Sequence, residues 1–188
     1  MKGHRNAADL IPGLEGQTLG DFWSWALGDL LQNTTRPMFA EWLVGTLLGV
    51  ESRGRVEWDA YDLAWRGERI EVKSSAFLQS WPQRRPSAIR YDIAKKRAWD
   101  AKTNTSADAP ARAATIFVFC LYTEREDKAA DPARLEAWEF FVVSTALLNE
   151  RHPNAKSLGL GALRRLASPV AASDLLAAVK ATSRQNSA

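Results

Sequence analysis

Apolar and polar residues follow three different patterns along this chain. In "TLGDFWSWALGDLLQN" the apolar positions Leu19, Phe22, Trp23, Ala26, Leu27 and Leu30 recur at helical spacing, so the run predicts a helix. "MFAEWLVGTLLG" predicts a second helix, apolar nearly all round and therefore buried, with Glu41 as the only charge inside it. Thr35 is the expected N-cap, Pro37 falls in the first turn, and Gly49 ends the helix. Next, "VEWDAYDLAW" and "RIEVKSSAFLQSW" flank the short "RGE" and predict two strands joined by a tight turn containing Gly67. "SAIRYDI" predicts a third strand, "AKKRAWDAK" a short helix and "TNTSADAPA" a loop. The continuous apolar run "TIFVFCLY" predicts a central strand covered on both faces. "AWEFFVV" predicts another strand, and "STALLNE" a helix capped by Ser144. "KSLGLGALRRLA" and "ASDLLAAVKAT" predict C-terminal helices. The first ~10 residues and the last ~8, which include "SRQNSA", are expected to be disordered. This order of elements predicts one α/β domain over residues 1–188, with a mixed sheet of four to five strands flanked by helices.

Composition narrows the chemistry. The one cysteine, Cys120, sits inside an apolar run and reads as a buried small hydrophobe. With His4 and His152 as the only histidines, no zinc cluster has usable spacing. No apolar run approaches a membrane span and "MKGHRNAADL" lacks a signal-peptide core, so a cytoplasmic location without membrane contact is the default expectation. Core packing is expected for most of the eight tryptophans, Trp42, Trp58 and Trp81 included. A net charge of +3 argues for no partner class by itself. Its distribution says more: residues 82–102 hold seven Lys or Arg against two Asp. Arg84, Arg85, Lys95 and Lys96 are thus candidates for phosphate contacts, with a solvated surface as the equal alternative. Arg36 and Asn33, just ahead of the second helix, could also reach a phosphate, although capping and solvation read slightly better.

The chemistry concentrates around "EVK". Side chains alternate along a strand, so Glu71, Lys73 and Ser75 share one face and Ile70 and Val72 the other. With Arg66 and Gly67 as the turn, Asp62 stands opposite Glu71; a shifted register places it opposite Lys73. Either way these three share a face, while Asp59 points to the other. Facing acids are unfavourable unless a positive charge lies between them, and Lys73 or a divalent cation would serve. Two carboxylates on neighbouring strands are hard oxygen ligands suited to Mg²⁺. The lysine beside them can position an attacking water and stabilise negative charge. Glu41 is a natural third carboxylate, since an apolar helix does not carry an uncompensated acid without cost.

Glu41 on a helix, Asp62 on a strand and Glu71-Val72-Lys73 on the next strand resemble the PD-(D/E)xK, or restriction endonuclease-like, nuclease superfamily over about residues 36–122. "GDFWSWALGDLLQNTTRPMFAEWLVGTLLG", "EVKSSAFLQSW" and "WEFF" are similar to a bacterial group of that superfamily with no assigned substrate. The resemblance implies a Mg²⁺-dependent deoxyribonuclease, with Mn²⁺ able to substitute and an endonuclease as the expected form. It implies metal ligation by Asp62 and Glu71, catalysis by Lys73, and assistance to metal or water by Glu41. Gln79, on the Glu71 parity if the strand runs that far, resembles a glutamine that some members place near the site. Tyr61 stands where proline often precedes the aspartate, and Asp59 is a rival for the aspartate role. DNA is the implied partner, a homodimer an allowed arrangement, and restriction or phage defence a role by analogy. The alternative is a catalytically silent nuclease-fold module that binds nucleic acid or a protein.

Overall fold

The computed structural model of this protein describes residues 5–50, 60–97, 99–100, 105–106 and 108–186. Asp59 and Trp58 lie outside the described residues, as does most of the run expected to precede the hairpin. Helix α1 spans Leu19–Leu27 and α2 spans Thr35–Leu48. Strands β1, Leu63–Trp65, and β2, Glu68–Ala76, form the expected hairpin. The turn is as read from sequence: Arg66 at φ 48° and Gly67 at φ 89° both take positive φ, and the register pairs Trp65 with Glu68 and Leu63 with Ile70. Strands β3, Arg90–Asp92, β4, Trp99–Asp100, and β5, Thr105–Ser106, follow. Strand β6 is Ile116–Tyr122, β7 is Trp138–Ser144 and α3 is Thr145–Arg151. The chain ends with β8, Ser157–Gly159, α4, Leu160–Leu166, and α5, Leu175–Asn186.

The main sheet is mixed and four-stranded, in the order β1-β2-β6-β7. β2 runs parallel to β6, and the other two pairings are antiparallel. Period-two alternation divides its side chains between two cores. Ile70, Val72, Val118, Cys120 and Phe140 face α2 and α5, where Leu43, Val44, Leu175 and Val179 cover them. Phe117, Phe119, Leu121 and Phe141 face the other way, onto Tyr91, Leu148, Leu158 and Leu163. Every residue of β6 is buried, as its unbroken apolar run requires. Burial makes the Cys120 thiol hard to ionise, which fits the structural reading of that residue.

Several elements differ from the sequence reading. The connection from β2 to β6 contains no α-helix among the described residues, although parallel strands usually cross over through one. The described residues of the expected helix "AKKRAWDAK" are extended instead: Lys96 pairs with Ala111 through both backbone hydrogen bonds, and β4 pairs with β5 inside the expected loop. Backbone pairing satisfies the same donors and acceptors that a helix would. The run "KSLGLG" holds β8, which pairs with β3, before α4 begins. α5 continues to Asn186, so most of "SRQNSA" is helical: Ser183 Oγ donates to Glu68 Oε1 at 2.7 Å and Asn186 Nδ2 to Thr115 O at 3.5 Å. The N-cap of α2 is Thr34 rather than Thr35, whereas Ser144 caps α3 as expected and Gly49 ends α2 at φ 68°. α1 is shorter than its pattern and buries none of its residues; Trp25 is 83% exposed. Trp42 and Trp81 also stand out of the core, 57% and 51% exposed, while Trp65 and Trp138 are buried.

Candidate active site

Three local facts build the site. β1 begins at Leu63, and Asp62 is the residue just before it. The Asp62 backbone N–H still donates to Ile70 O at 3.0 Å, so the hairpin register carries on to it. Its side chain then replaces the next ladder bond: Val72 N–H donates to Asp62 Oδ2 at 2.7 Å. This bond fixes the carboxylate beside β2, level with Glu71. On β2 the Lys73 ammonium forms an ion pair with Glu71 Oε1 at 2.5 Å, and both side chains are about one-fifth exposed, at 21% and 19%. Asp62, Glu71 and Lys73 line one cavity of about 630 Å³, floored by Phe117. Asp62 therefore lies with Glu71 and Lys73 and not on the opposite face of the sheet.

The β2–β6 connection walls this cavity and brings residues that the sequence reading did not select. Asp92, at the end of β3, faces Lys73 from the wall, together with Lys96, Arg97 and Arg112. Asp92 Oδ1 accepts from Ala94 N–H at 3.0 Å and Oδ2 pairs with Lys96 Nζ at 3.1 Å. One carboxylate thus sets the turn that swings Lys96 over the cavity. Arg112 is 8% exposed. It donates to Ile93 O at 2.8 Å, Asn149 Oδ1 at 2.6 Å, His152 O at 3.0 Å and Ala155 O at 3.2 Å. Its guanidinium binds the connection to the end of α3 and keeps the wall in place. No periodicity marks these residues, because the wall is built by contacts between distant parts of the chain.

Charge in the cavity is unevenly compensated. Burial, then the neighbouring Glu71, with Glu41 adding, pushes the Asp62 carboxyl up to about 6; Val72 N–H and Lys73 oppose the rise. Burial acts on Asp92 in the same sense, but the Ala94 N–H, Lys96 and Lys73 outweigh it and hold that carboxyl below the usual range. Of these two aspartates, Asp62 is the one whose negative charge burial disfavours without full compensation. Glu41 acts on it from α2 and does not line the cavity. Among the described residues no three His, Cys, Asp or Glu side chains converge as a ligand group. Mg²⁺ does not need three, since it keeps waters and takes one or two carboxylates plus substrate phosphate. The hard oxygens of Asp62 and Glu71, side by side in one cavity, fit such an ion.

The remaining candidates fall elsewhere. β2 ends at Ala76, so Gln79 leaves the strand and does not line the cavity; its Nε2 donates to Ala76 O and Ser87 Oγ, both at 3.2 Å. Arg36 is 5% exposed. It donates to Leu31 O at 2.8 Å, Asn33 Oδ1 at 2.6 Å and Gln79 Oε1 at 3.5 Å, which binds the start of α2 to the segment after β2. Arg84 and Arg85 are exposed on the loop after β2. Lys95 is exposed but off the cavity, whereas Lys96 lines it. No known protein-family model matches the chain, and no curated protein is detectably similar to it.

Proposed function

We propose that this chain is a Mg²⁺-dependent deoxyribonuclease of the PD-(D/E)xK type, cutting phosphodiester bonds within DNA. The observation that carries the reading is that Asp62 and the Glu71–Lys73 pair share one face of the sheet and one cavity. The hairpin bearing these residues, and the parallel strand beside it, agree with the core implied by the sequence resemblance. Among the described residues the crossover holds strands and no α-helix, which leaves the pairing of Asp62 with Glu71 untouched.

Asp62 and Glu71 would hold the ion. When bound, it supplies a Lewis acid for the phosphoryl oxygen and lowers the pKa of a coordinated water. Lys73 has two roles in succession. Paired with Glu71, it offsets the negative charge of the resting site. With Glu71 holding the ion, the Lys73 ammonium would orient the attacking water and stabilise charge developing on phosphorus-bound oxygen. Lys96 and Arg97 line the same cavity and would contact flanking phosphates, and Arg112 holds the wall that carries them. Arg36, buried and held by Leu31 O and Asn33 Oδ1, plays no part in this scheme.

Incubating the protein with plasmid and with linear duplex DNA, in Mg²⁺, Mn²⁺ or EDTA, tests the reading. Cleavage dependent on the metal and abolished in Lys73→Met is expected. Metal-dependent cleavage that survives unchanged in Lys73→Met would end it.

A further inference from the structure

The loop of residues 77–87, between β2 and β3, holds a tryptophan in water. Its neck is closed by Ser87 N–H donating to Phe77 O at 2.8 Å. Its interior is filled by two glutamine amides. Gln83 Oε1 accepts from Gln79 N–H at 2.8 Å, and Gln83 Nε2 donates to Ser87 Oγ at 2.9 Å and to Phe77 O and Arg85 O at 3.4 Å. Gln79 Nε2 adds its bonds to Ala76 O and Ser87 Oγ. From outside, the Arg125 guanidinium lies 3.7 Å from the centroid of the Phe77 ring, and Leu78 is buried at 5%. Pro82 and Pro86 restrict the backbone further. A loop this well satisfied has little freedom to fold its outward side chains away.

Those outward side chains are Trp81, 51% exposed, and Arg84 and Arg85, exposed and in no ion pair among the described residues. An indole held out of a core beside two uncompensated guanidiniums suits a partner that offers both flat aromatic faces and a line of negative charge. Nucleic acid has both, but a duplex keeps its base faces stacked and out of reach. An unpaired strand presents them. The loop continues directly from the strand that carries Glu71 and Lys73, with Phe77 about 13 Å beyond Lys73 at ~3.3 Å per residue.

We infer that loop 77–87 is a docking surface for an unpaired DNA strand, with Trp81 stacking on a base and Arg84 and Arg85 on its phosphates; the choice of DNA rests on the nuclease reading above. A substrate with a single-stranded arm, gap or end would then be held through this loop while the cavity engages the bond to be cut.

The test measures binding in EDTA, so that no cleavage enters. A fluorescein-labelled oligothymidylate and a labelled duplex of mixed sequence are titrated with the full chain and with Trp81→Ala, Trp81→Phe and the double variant Arg84→Ala/Arg85→Ala. Trp81→Ala should weaken single-strand binding about 5- to 150-fold, the range that loss of one base–aromatic stack gives. Trp81→Phe should retain most of it, and the duplex should respond little. The double variant should flatten the dependence of log K on log salt by about 1.4, at ~0.7 per phosphate of a single strand. Circular dichroism of each variant checks that the fold is kept, and the conservative Phe variant tests the stack without opening a gap. Unchanged single-strand binding by Trp81→Ala would overturn the inference, and so would equal losses on single strand and duplex. Tighter Trp81-dependent binding to oligouridylate would overturn the choice of DNA. A chain that binds single strands through Trp81 yet never cleaves overturns the nuclease reading alone, and one that cleaves with no effect of Trp81 on binding overturns the docking surface alone.

Discussion

Replacing Asp62 by Asn should stabilise the metal-free protein while disabling it. In the folded chain burial, then Glu71 and Glu41, raise the Asp62 carboxyl from its ordinary 3.8 to about 6. The folded state therefore binds this proton more tightly than the unfolded state does. Stability from this source is fully present below about pH 4 and is lost as pH rises through about 6. At pH 8 the carboxylate is charged in both states, and a shift of about two units corresponds to about 3 kcal/mol of destabilisation, at ~1.4 kcal/mol per unit. The side chain keeps some contact with solvent, so about 2–3 kcal/mol is the working figure. Asn is nearly isosteric, and its Oδ1 can still accept the Val72 N–H, 2.7 Å from Asp62 Oδ2. The substitution thus removes the charge and keeps the hydrogen bond. For a chain of 188 residues this amounts to a rise of about 4–12 °C in thermal midpoint. The assay is thermal unfolding of both proteins in EDTA from pH 5 to 8.5. The variant should lead at pH 8, and the gap should narrow as pH falls through about 6. Mg²⁺ added to about 1,000 times its Kd should then reverse the order, because it stabilises the folded protein that binds it by about 4.1 kcal/mol. A variant less stable than wild type in EDTA at pH 8, or a gap that does not vary with pH, would refute the reasoning.

Lys73→Met should leave Mn²⁺ affinity intact or tighter by calorimetry, since it removes the cation paired with Glu71, while cleavage falls by about 10²–10⁴-fold; weaker Mn²⁺ binding would show that the lysine supports the metal site. Arg112→Met strips the partners from Ile93 O, Asn149 Oδ1, His152 O and Ala155 O, and should lower the unfolding free energy in urea by about 2–3 kcal/mol; an unchanged midpoint would mean the wall stands without it. Arg36→Ala should lower stability by about 1–3 kcal/mol, because it leaves Leu31 O and Asn33 Oδ1 without their donor. The same variant should not alter the salt dependence of DNA binding, and a flatter slope would return Arg36 to the phosphate contacts.

Much of the candidate site was legible because its parts are local. A two-residue turn at Arg66-Gly67 and strict alternation are properties of adjacent residues, and together they placed Asp62 level with Glu71 and Lys73. The unbroken apolar run of β6 likewise announced a strand covered on both faces. Gln79 shows where local reading ends: its parity held only while β2 remained straight, and the strand stops at Ala76.

Everything that surrounds the three residues was decided by tertiary structure. Asp92 belongs to a strand paired with Ser157, Lys96 is held by Ala111, and Arg112 is bound to Asn149. These partners lie tens of residues away, or across a turn that no pattern marks, so the residues carry no periodic signal of meeting. The described part of "AKKRAWDAK" is extended because its backbone bonds go to Ala111 and to β5, which satisfy them as well as a helix would. Tryptophan patterns misled in the opposite direction. Trp42 and Trp81 have the hydrophobicity of core residues, yet burial depends on whether another element arrives to cover them, and for these two none does among the described residues. Sequence by itself determined which side chains share a face, because alternation is a property of the chain. Which faces are covered, and what stands across the cavity from Lys73, depended on packing between elements far apart in that chain.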